Sequence, residues 1–186
     1  MKNLYLIGGG GHCHSCIDVI EQENKYEIRG IFDLPHRIGE DILGYKIIGT
    51  DDNLKEYESK ENYFLVTIGQ IGIPEMRKKY LHLNLATIVS PRAYVSKNST
   101  IDVGTIIMHD VIVNINVKIG KNCIINSKAL IEHDSTIGNN CHISTAAVIN
   151  GSVIVGDESF IGSGTITKNN ITIPEKSFIK ANSTVK

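Results

Sequence analysis

The residues best suited to chemistry are a histidine and an acid that stand next to each other in the second half of the chain. His133 and Asp134 follow Ile131 and Glu132. A neutral imidazole can accept a proton near pH 7, and a neighbouring carboxylate can orient the ring and stabilise its cation. The pair therefore predicts a general base, whereas a solitary surface histidine would not.

A glycine-rich loop near the N-terminus is the second candidate site. Glycines occupy every position from Gly8 to Gly11, and His12 follows. Backbone N–H groups at a helix start suit a phosphate, and a histidine could add a charge-assisted hydrogen bond. Asp33 ends the next strand-like run, where a ribose-binding acid would lie. The alternative is a tight turn beside a solvated histidine.

The same loop does not complete the glycine motif of dinucleotide-binding folds. That motif reads G-x-G-x-x-G, and here Cys13 stands at the third glycine, or His14 when counting starts from Gly9. The missing glycine is the one that permits close packing of helix on strand. An NAD-dependent enzyme is therefore disfavoured.

The four cysteines are better explained by packing than by metal or redox chemistry. Cys13 and Cys16 share the i, i+3, i+4, i+7 spacing of a buried helical stripe with two isoleucines. Cys123 and Cys141 are 18 residues apart, which predicts stacked small fillers with free thiols. No second C-x-x-C motif exists, so no metal site is expected.

The candidates in the second half stand on a repeat with a period of six residues. From Val95 to Val185 every sixth residue is valine or isoleucine except Thr167, and the residue four positions later is mostly small. Offsets of four and six keep both positions on one face of extended segments, whereas a period of six cannot keep one helical face buried. Such a long fixed period indicates a repeat architecture rather than a β-sandwich.

This pattern resembles the hexapeptide repeat of left-handed parallel β-helices. The resemblance implies that three hexads form one triangular coil, so that like positions stack every 18 residues in about five coils, roughly 4.8 Å apart. His133 lies outside the buried phase and should project from the prism. Gly151 should lie one coil away, where its N–H could face a developing oxyanion.

The N-terminal half instead alternates strand-like and helix-like segments, which predicts a small α/β domain with a parallel sheet and a Rossmann-like order. Strands are expected at 2–7, 27–33, 45–48, 63–68 and 85–89, and helices at 13–23, 50–59 and 74–81. The chain is thus expected to form two domains, residues 1–89 and residues 90–186.

Composition narrows the range of partners. A net charge of −1 gives no general attraction to nucleic acid or to an anionic membrane. No stretch approaches roughly 18 apolar residues, and the run Leu4–Ile7 is too short for a signal peptide. We therefore expect a cytoplasmic protein without nucleic-acid binding or membrane insertion.

Three motifs together are similar to the bacterial sugar acyltransferases of the NeuD/PglD type. They are GGGGH at 8–12, TIGQ at 67–70 and IEHD at 131–134. The resemblance implies transfer of acetyl from acetyl-CoA to sugars or nucleotide-linked amino sugars. It also implies a homotrimer that holds acetyl-CoA between adjacent prisms.

The resemblance further implies roles for individual residues. His133 would be the general base and Asp134 its acidic neighbour, although the family often has glutamate at that position. The acetyl-CoA site would include Asn114, His142 and Gly151, the last with its amide near the acetyl carbonyl. The nucleotide-sugar site would include Gly10, Gly11, His12, Asp33 and Gly69.

The expected function is N-acetylation of a nucleotide-linked 4-amino-4,6-dideoxy sugar, as in bacillosamine or legionaminic-acid biosynthesis. One alternative is O-acetylation of a sialic-acid-like sugar. Another is a non-catalytic sugar-nucleotide-binding protein, against which the adjacent His133 and Asp134 argue.

Overall fold

The N-terminal part is a five-stranded, mainly parallel sheet with helices packed on it. The structure, a computed structural model, describes residues 1–69 and 71–186. The strands are β1 (Lys2–Ile7), β2 (Tyr26–Phe32), β3 (Asp41–Ile42), β4 (Tyr45–Gly49) and β5 (Asn62–Val66). The α-helices are α1 (Gly11–Glu23), α2 (Leu54–Tyr57) and α3 (Glu75–Lys78), and short 3-10 helices span Pro35–Arg37 and Asp51–Asn53. The strand order is β3-β4-β2-β1-β5, and only the pair β3–β4 is antiparallel.

Helix α1 confirms the packing interpretation of the first two cysteines. Cys13, Cys16, Ile17 and Ile20 are all buried on the face of α1 that meets the core. All four cysteines of the chain are buried and free. The spacing therefore encodes a helix face and not a redox pair.

Several predicted elements are shorter in the structure than in the sequence interpretation, among them the helix expected at 50–59, which is α-helical only in α2. The helix expected at 74–81 is reduced to α3, and the strand expected at 85–89 is reduced to residues 88–89. Leu85 makes only a single bridge to Phe64 at the edge of the sheet. The chain then leaves this edge, because Ile88 pairs with a strand of the second half instead.

The second half is a parallel β-helix of two-residue strands, as the hexad period predicts. These strands are β6 (Ile88–Val89), β7 (Tyr94–Val95), β8 (Thr100–Ile101), β9 (Ile106–Ile107), β10 (Ile112–Val113), β11 (Lys118–Ile119), β12 (Ile124–Ile125), β13 (Leu130–Ile131), β14 (Thr136–Ile137), β15 (His142–Ile143), β16 (Val148–Ile149), β17 (Ile154–Val155), β18 (Phe160–Ile161), β19 (Ile166–Thr167), β20 (Thr172–Ile173), β21 (Phe178–Ile179) and β22 (Thr184–Val185). Paired strands from β7 onward are offset by 18 residues, as in Ile112 opposite Leu130. Three hexads therefore make one coil.

The strands form three sheets, which are named here by what covers their outer faces. The docked sheet (β6-β9-β12-β15-β18-β21) packs its first strands against the N-terminal part, since the outward Ile88, Ile106 and Ile124 are fully buried. The apolar sheet is β7-β10-β13-β16-β19-β22, and the polar sheet is β8-β11-β14-β17-β20. Each prism corner from Gly104 to Asn182 contains one residue with φ between 54° and 76°.

The interior of the β-helix is built by the two residue classes that define the repeat. Isoleucine and valine fill it, and the small corner residues satisfy the backbone of the next coil. Ser135, for example, donates its hydroxyl to the Asn150 carbonyl at 2.9 Å and accepts from the Val153 N–H at 3.1 Å. Thr167, the exception in the hexad series, is buried and accepts from the Asn150 N–H at 2.9 Å.

Polar contacts join the two halves. Asp18 of α1 lies 2.8 Å from His109 of the β-helix, and Lys78 of α3 donates to Glu158 at 2.6 Å. Strand β6, which the expected division assigns to residues 1–89, pairs with β9 of the β-helix.

Among residues 1–69 and 71–186, no helix combines the length and apolar character needed to cross a membrane.

Candidate active site

The general-base candidate stands at the corner between β13 and β14, called here the His133 corner. The side chains of His133 and Asp134 are each 51% exposed, and Nδ1 of the ring lies 2.8 Å from the Asp134 carboxylate. The hydrogen bond from His133, followed by one from Asn116, lowers the pKa of Asp134. The ionised carboxylate therefore favours a proton on Nδ1, which leaves Nε2 free to accept one.

The backbone of this corner explains why aspartate is suited to a position that is often glutamate in the related family. Asp134 has φ of 61°, in the left-handed region that aspartate and asparagine enter more readily than most residues. Asn116, one coil below, donates to the second carboxylate oxygen at 3.0 Å. The shorter side chain thus still reaches the ring, and its second oxygen is also bonded.

Gly151 stacks on His133 as the 18-residue spacing predicts. A Cβ at Gly151 would lie 2.7 Å from Nε2 and 2.8 Å from Cε1 of His133. The absence of a side chain there therefore keeps the proton-accepting edge of the imidazole open. Gly151 does not have a positive φ, so the requirement for glycine is steric.

Asn114 lies one coil from this corner. The sequence interpretation gave no role to two polar residues beside it, Glu132 and Asn116. Asn114 donates to Glu132 at 2.8 Å, and Glu132 in turn accepts from the His133 N–H at 3.4 Å. Asn116 is the second residue without a predicted role, and it donates to Asp134. Both could have been found from the sequence, because Asn116 precedes Asp134, and Asn114 precedes Glu132, by one 18-residue coil.

The glycine loop lines a separate cavity of about 610 Å³ at the carboxyl ends of β1, β2 and β5, called here the glycine-loop cavity. Its lining includes all five residues expected on the nucleotide-sugar side: Gly10, Gly11, His12, Asp33 and Gly69. Helix α1 begins at Gly11, so its first N–H groups lie at this cavity. Gln70, the last residue of the TIGQ motif, lies outside the described residues.

Asp33 is held by its own surroundings. Its carboxylate accepts from the Gly9 N–H at 2.6 Å, from the Leu34 N–H at 2.7 Å and from Arg37 at 2.6 Å. It therefore fixes the glycine loop against the end of β2. Arg37, which also lines the cavity, was not predicted, although its i, i+4 spacing from Asp33 is visible in the sequence.

His12 lies beside the glycine loop as a neutral side chain. Burial, followed by the charges of Arg77 and His142, lowers the pKa of His12 to about 3. Its ring is therefore neutral near pH 7, so the charge in a hydrogen bond to a phosphate would come from the phosphate. Nε2 is buried and has no hydrogen-bond partner among the described residues. Gly69 keeps this side close-packed, since a Cβ there would lie 3.3 Å from the His12 Cβ.

His142 is not at the His133 corner. It projects outward from β15 of the docked sheet, is 6% exposed and meets Phe160 edge-to-face with ring centroids 5.2 Å apart. Because the His133 corner joins the other two sheets, His142 lies on the opposite side of the prism. The expected site residues therefore form two groups in one chain. One group surrounds His133, and the other combines the glycine-loop cavity with His142.

Both halves of the chain match known families. Residues 3–82 match the PglD N-terminal domain, and residues 116–151 match the bacterial transferase hexapeptide family, described as six repeats. No curated protein matches the chain.

Solved structures share the complete fold. The acetyltransferase domain of PglB from Neisseria gonorrhoeae FA1090 is 25% identical with a TM-score of 0.91, over 100% of this chain and 92% of that one. PerB from Caulobacter crescentus, solved with CoA and GDP-perosamine, is 26% identical with a TM-score of 0.91, over 100% and 89%. The PglB domain in complex with acetyl coenzyme A aligns at 23% identity and a TM-score of 0.89, over 99% and 92%.

The domain matches, the order of the two halves and the likeness along the entire chain agree with one another. The chain combines a PglD N-terminal domain with the hexapeptide repeats of bacterial transferases, and along its whole length it is similar to the PglD/NeuD-type sugar acyltransferases.

Proposed function

We propose that the protein is an acetyl-CoA-dependent N-acetyltransferase acting on a nucleotide-linked 4-amino-4,6-dideoxy sugar of the bacillosamine or legionaminic-acid type. One observation carries the proposal: the His133 ring is held by Asp134 through Nδ1, and its Nε2 faces the gap left by Gly151. Likeness to PerB, solved with CoA and GDP-perosamine, supports this choice of substrates.

In the proposed reaction acetyl-CoA supplies the activated acetyl group. The sugar amine forms the new C–N bond, Nε2 of His133 accepts the amine proton, and the C–S bond to CoA breaks. Asp134 stabilises the imidazolium, which returns its proton to the leaving thiolate. The Gly151 N–H would face the carbonyl oxygen as negative charge develops on it. The products are an acetamido sugar and CoA with a free thiol.

The two halves of the chain are proposed to bind different ligands. Residues 1–89 would bind the nucleotide sugar, with its diphosphate at the start of α1, where Gly10 makes no side-chain capping hydrogen bond. Residues 90–186 would bind acetyl-CoA along the prism, with Asn114 and Gly151 of one copy of the chain and His142 of a neighbouring copy as its proposed contacts.

A second copy of the chain would complete the site. The glycine-loop cavity and the His133 corner lie on opposite sides of one prism, so a sugar in that cavity would need the His133 of a neighbour. The apolar sheet offers a surface for such a neighbour, because outward Tyr94, Ile112 and Ile166 are exposed there. The polar sheet exposes Lys118 and threonines, with Ile154 as its one exposed large apolar side chain among the described residues. We propose a homotrimer with acetyl-CoA between adjacent prisms.

The trimer predicts a solution mass near three times the 20.5 kDa of one chain at micromolar concentration. Replacing both Ile112 and Ile166 by lysine should lower this mass, because charges would be buried in the proposed interface. Lys118→Glu on the polar sheet is the matched control and should leave the mass unchanged. Sedimentation or light scattering decides, and a wild-type mass near 20.5 kDa would count against the shared site.

The proposed activity is tested with a panel of UDP-, GDP- and CMP-linked 4-amino sugars and acetyl-CoA, followed by free-thiol release and product mass. We expect one amino sugar to release thiol and to gain one acetyl group in a bond that resists hydroxylamine. A hydroxylamine-labile product would indicate O-acetylation of a sialic-acid-like sugar. Nucleotide-sugar binding without any thiol release would indicate a non-catalytic protein.

His12→Ala should weaken nucleotide-sugar binding by roughly 10- to 150-fold if His12 contacts phosphate, the range for a hydrogen bond to a charged group. Acetyl-CoA affinity should be almost unchanged. Because the lowered pKa keeps His12 neutral, its contribution should not vary between about pH 5 and pH 8. Calorimetric titration of each ligand measures this, with His14→Ala on the exposed face of α1 as control. A mutant that loses acetyl-CoA but keeps the nucleotide sugar would reverse the assignment of ligands to domains.

A further inference from the structure

Arg77 of α3 is the most deeply buried charge in the described part of the chain. Its side chain is 0% exposed, and it lies between the N-terminal part and the β-helix. One guanidinium nitrogen donates to the carbonyls of Val66 at 2.7 Å and Ile68 at 2.8 Å. The other donates to the Asn122 side chain at 2.9 Å and to its carbonyl at 3.4 Å. A single side chain therefore bonds to both halves at once.

Within the described part of the chain, this cation has no carboxylate partner. None of the ion pairs formed by residues 1–69 and 71–186 includes Arg77. Burial lowers its pKa to about 10, so it remains charged near neutral pH. An unpaired buried charge is costly, and apolar residues often serve an interface equally well. Anchoring alone therefore does not account for a charge at this position.

The N-terminal bonds of Arg77 fix the wall of the glycine-loop cavity. Val66 ends β5, and Ile68 lines the cavity two residues later. Between them, the Thr67 hydroxyl lies 3.0 Å from the Ile7 carbonyl and 2.6 Å from that of Gly8, at the start of the glycine loop. Arg77 thus holds the chain segment on which the loop rests.

The bonds to the β-helix tie that same wall to a corner stack near His142. Asn122 donates to Asn140 one coil on, at 3.0 Å, and Asn140 is two residues before His142. The field of Arg77 also reaches the loop, since it contributes to the lowered pKa of His12. The guanidinium therefore links the loop, the cavity wall and the docked sheet through direct bonds and through its charge.

We propose that Arg77 is a positioning residue for nucleotide-sugar binding, which it supports by holding the cavity wall and the glycine loop in place on the β-helix. The substrate named here rests on the proposed function. Arg77 touches no reacting atom, so it acts on affinity for the nucleotide sugar and not on the acetyl-transfer step.

Arg77→Lys keeps the positive charge but removes the forked guanidinium. An ammonium group cannot reach the same set of acceptors on both halves. We expect KM for the nucleotide sugar to rise about tenfold or more, as for loss of charged hydrogen bonds. The kcat value and KM for acetyl-CoA should stay within about threefold of wild type. Arg77→Met removes the charge as well and should raise KM for the nucleotide sugar further.

Two further variants keep the test independent of a folding defect. Asn122→Gly removes the side-chain acceptor on the β-helix but keeps the weaker carbonyl contact, at a positive φ that glycine adopts freely, and it should reproduce the direction of Arg77→Lys. Lys78→Gln is the matched control, since Lys78 bonds to Glu158 on the same corner stack but not to the cavity wall. It should leave both KM values unchanged.

Amide hydrogen exchange tests the positioning role without any substrate. Residues 8–12 and 66–69 should exchange faster in Arg77→Lys than in wild type, while the coils around 112–137 keep their protection. If Arg77→Lys exchanges like wild type in these residues and its KM for the nucleotide sugar is unchanged, the proposal is overturned. It is also overturned if only kcat falls, in proportion to the loss of folded protein. If wild type transfers no acetyl group but the exchange difference is present, the proposed function fails and the positioning role of Arg77 stands.

Discussion

His133→Ala is expected to lower turnover by about 10²–10⁴-fold, the usual range for loss of a general base. The ring is half exposed, so its removal leaves no buried cavity. Its polar side-chain bond goes to Asp134 at the surface. The fold, the oligomeric mass and both KM values should therefore change little. Steady-state kinetics measured by thiol release tests this result.

Two comparisons sharpen the expectation for His133. His82→Ala replaces an exposed histidine far along the chain from the β-helix corner and should retain wild-type turnover. The circular dichroism and mass of His133→Ala should match those of wild type, which separates chemistry from misfolding. Turnover of His133→Ala close to that of wild type would rule out the general-base role.

The β-helix could be predicted nearly residue by residue, because its information is local and repeated. One hexad specifies an inward aliphatic residue, a small corner residue and a left-handed turn, and parallel stacking then sets the 18-residue register. The relation of Gly151 to His133 follows from that arithmetic alone. The same arithmetic explains His142, since nine residues are half a coil and lead to the opposite side of the prism. The spacing in the sequence therefore already places His133 and His142 on opposite sides, although the family resemblance assigned both to one active site.

In the N-terminal part, only those segments could be predicted whose own spacing of apolar residues defines the face that they bury. Helix α1 and strand β1 are such segments. The stretch around α3 was not, because Arg77 and Lys78 take their partners from the β-helix, 45 and 80 residues further along the chain. The neutrality of His12 has the same origin. The pKa of His12 is lowered first by burial and then by Arg77 and His142, which distant segments bring to the glycine loop.

Gly151→Ala is expected to lower turnover by about 10²-fold, because displacing a catalytic group by about 1 Å can have that effect. The added methyl group would lie 2.7 Å from Nε2 of His133, closer than real Cβ contacts. The backbone accepts alanine, and the clash is with the movable end of a half-exposed side chain. The ring should therefore shift while stability changes by less than about 1 kcal/mol. Steady-state kinetics and a thermal melt measure the two effects.

A double-mutant cycle shows whether Gly151 acts through His133. If the methyl group harms catalysis by displacing the imidazole, Gly151→Ala should cost less than about threefold when added to His133→Ala, since interacting sites are not additive. The alanine keeps its N–H, so any contribution of that group to the carbonyl oxygen is largely preserved. Equal losses in both backgrounds would show that the methyl group blocks the acetyl donor directly. Unchanged turnover of Gly151→Ala would mean that the gap beside Nε2 is not where the reaction takes place.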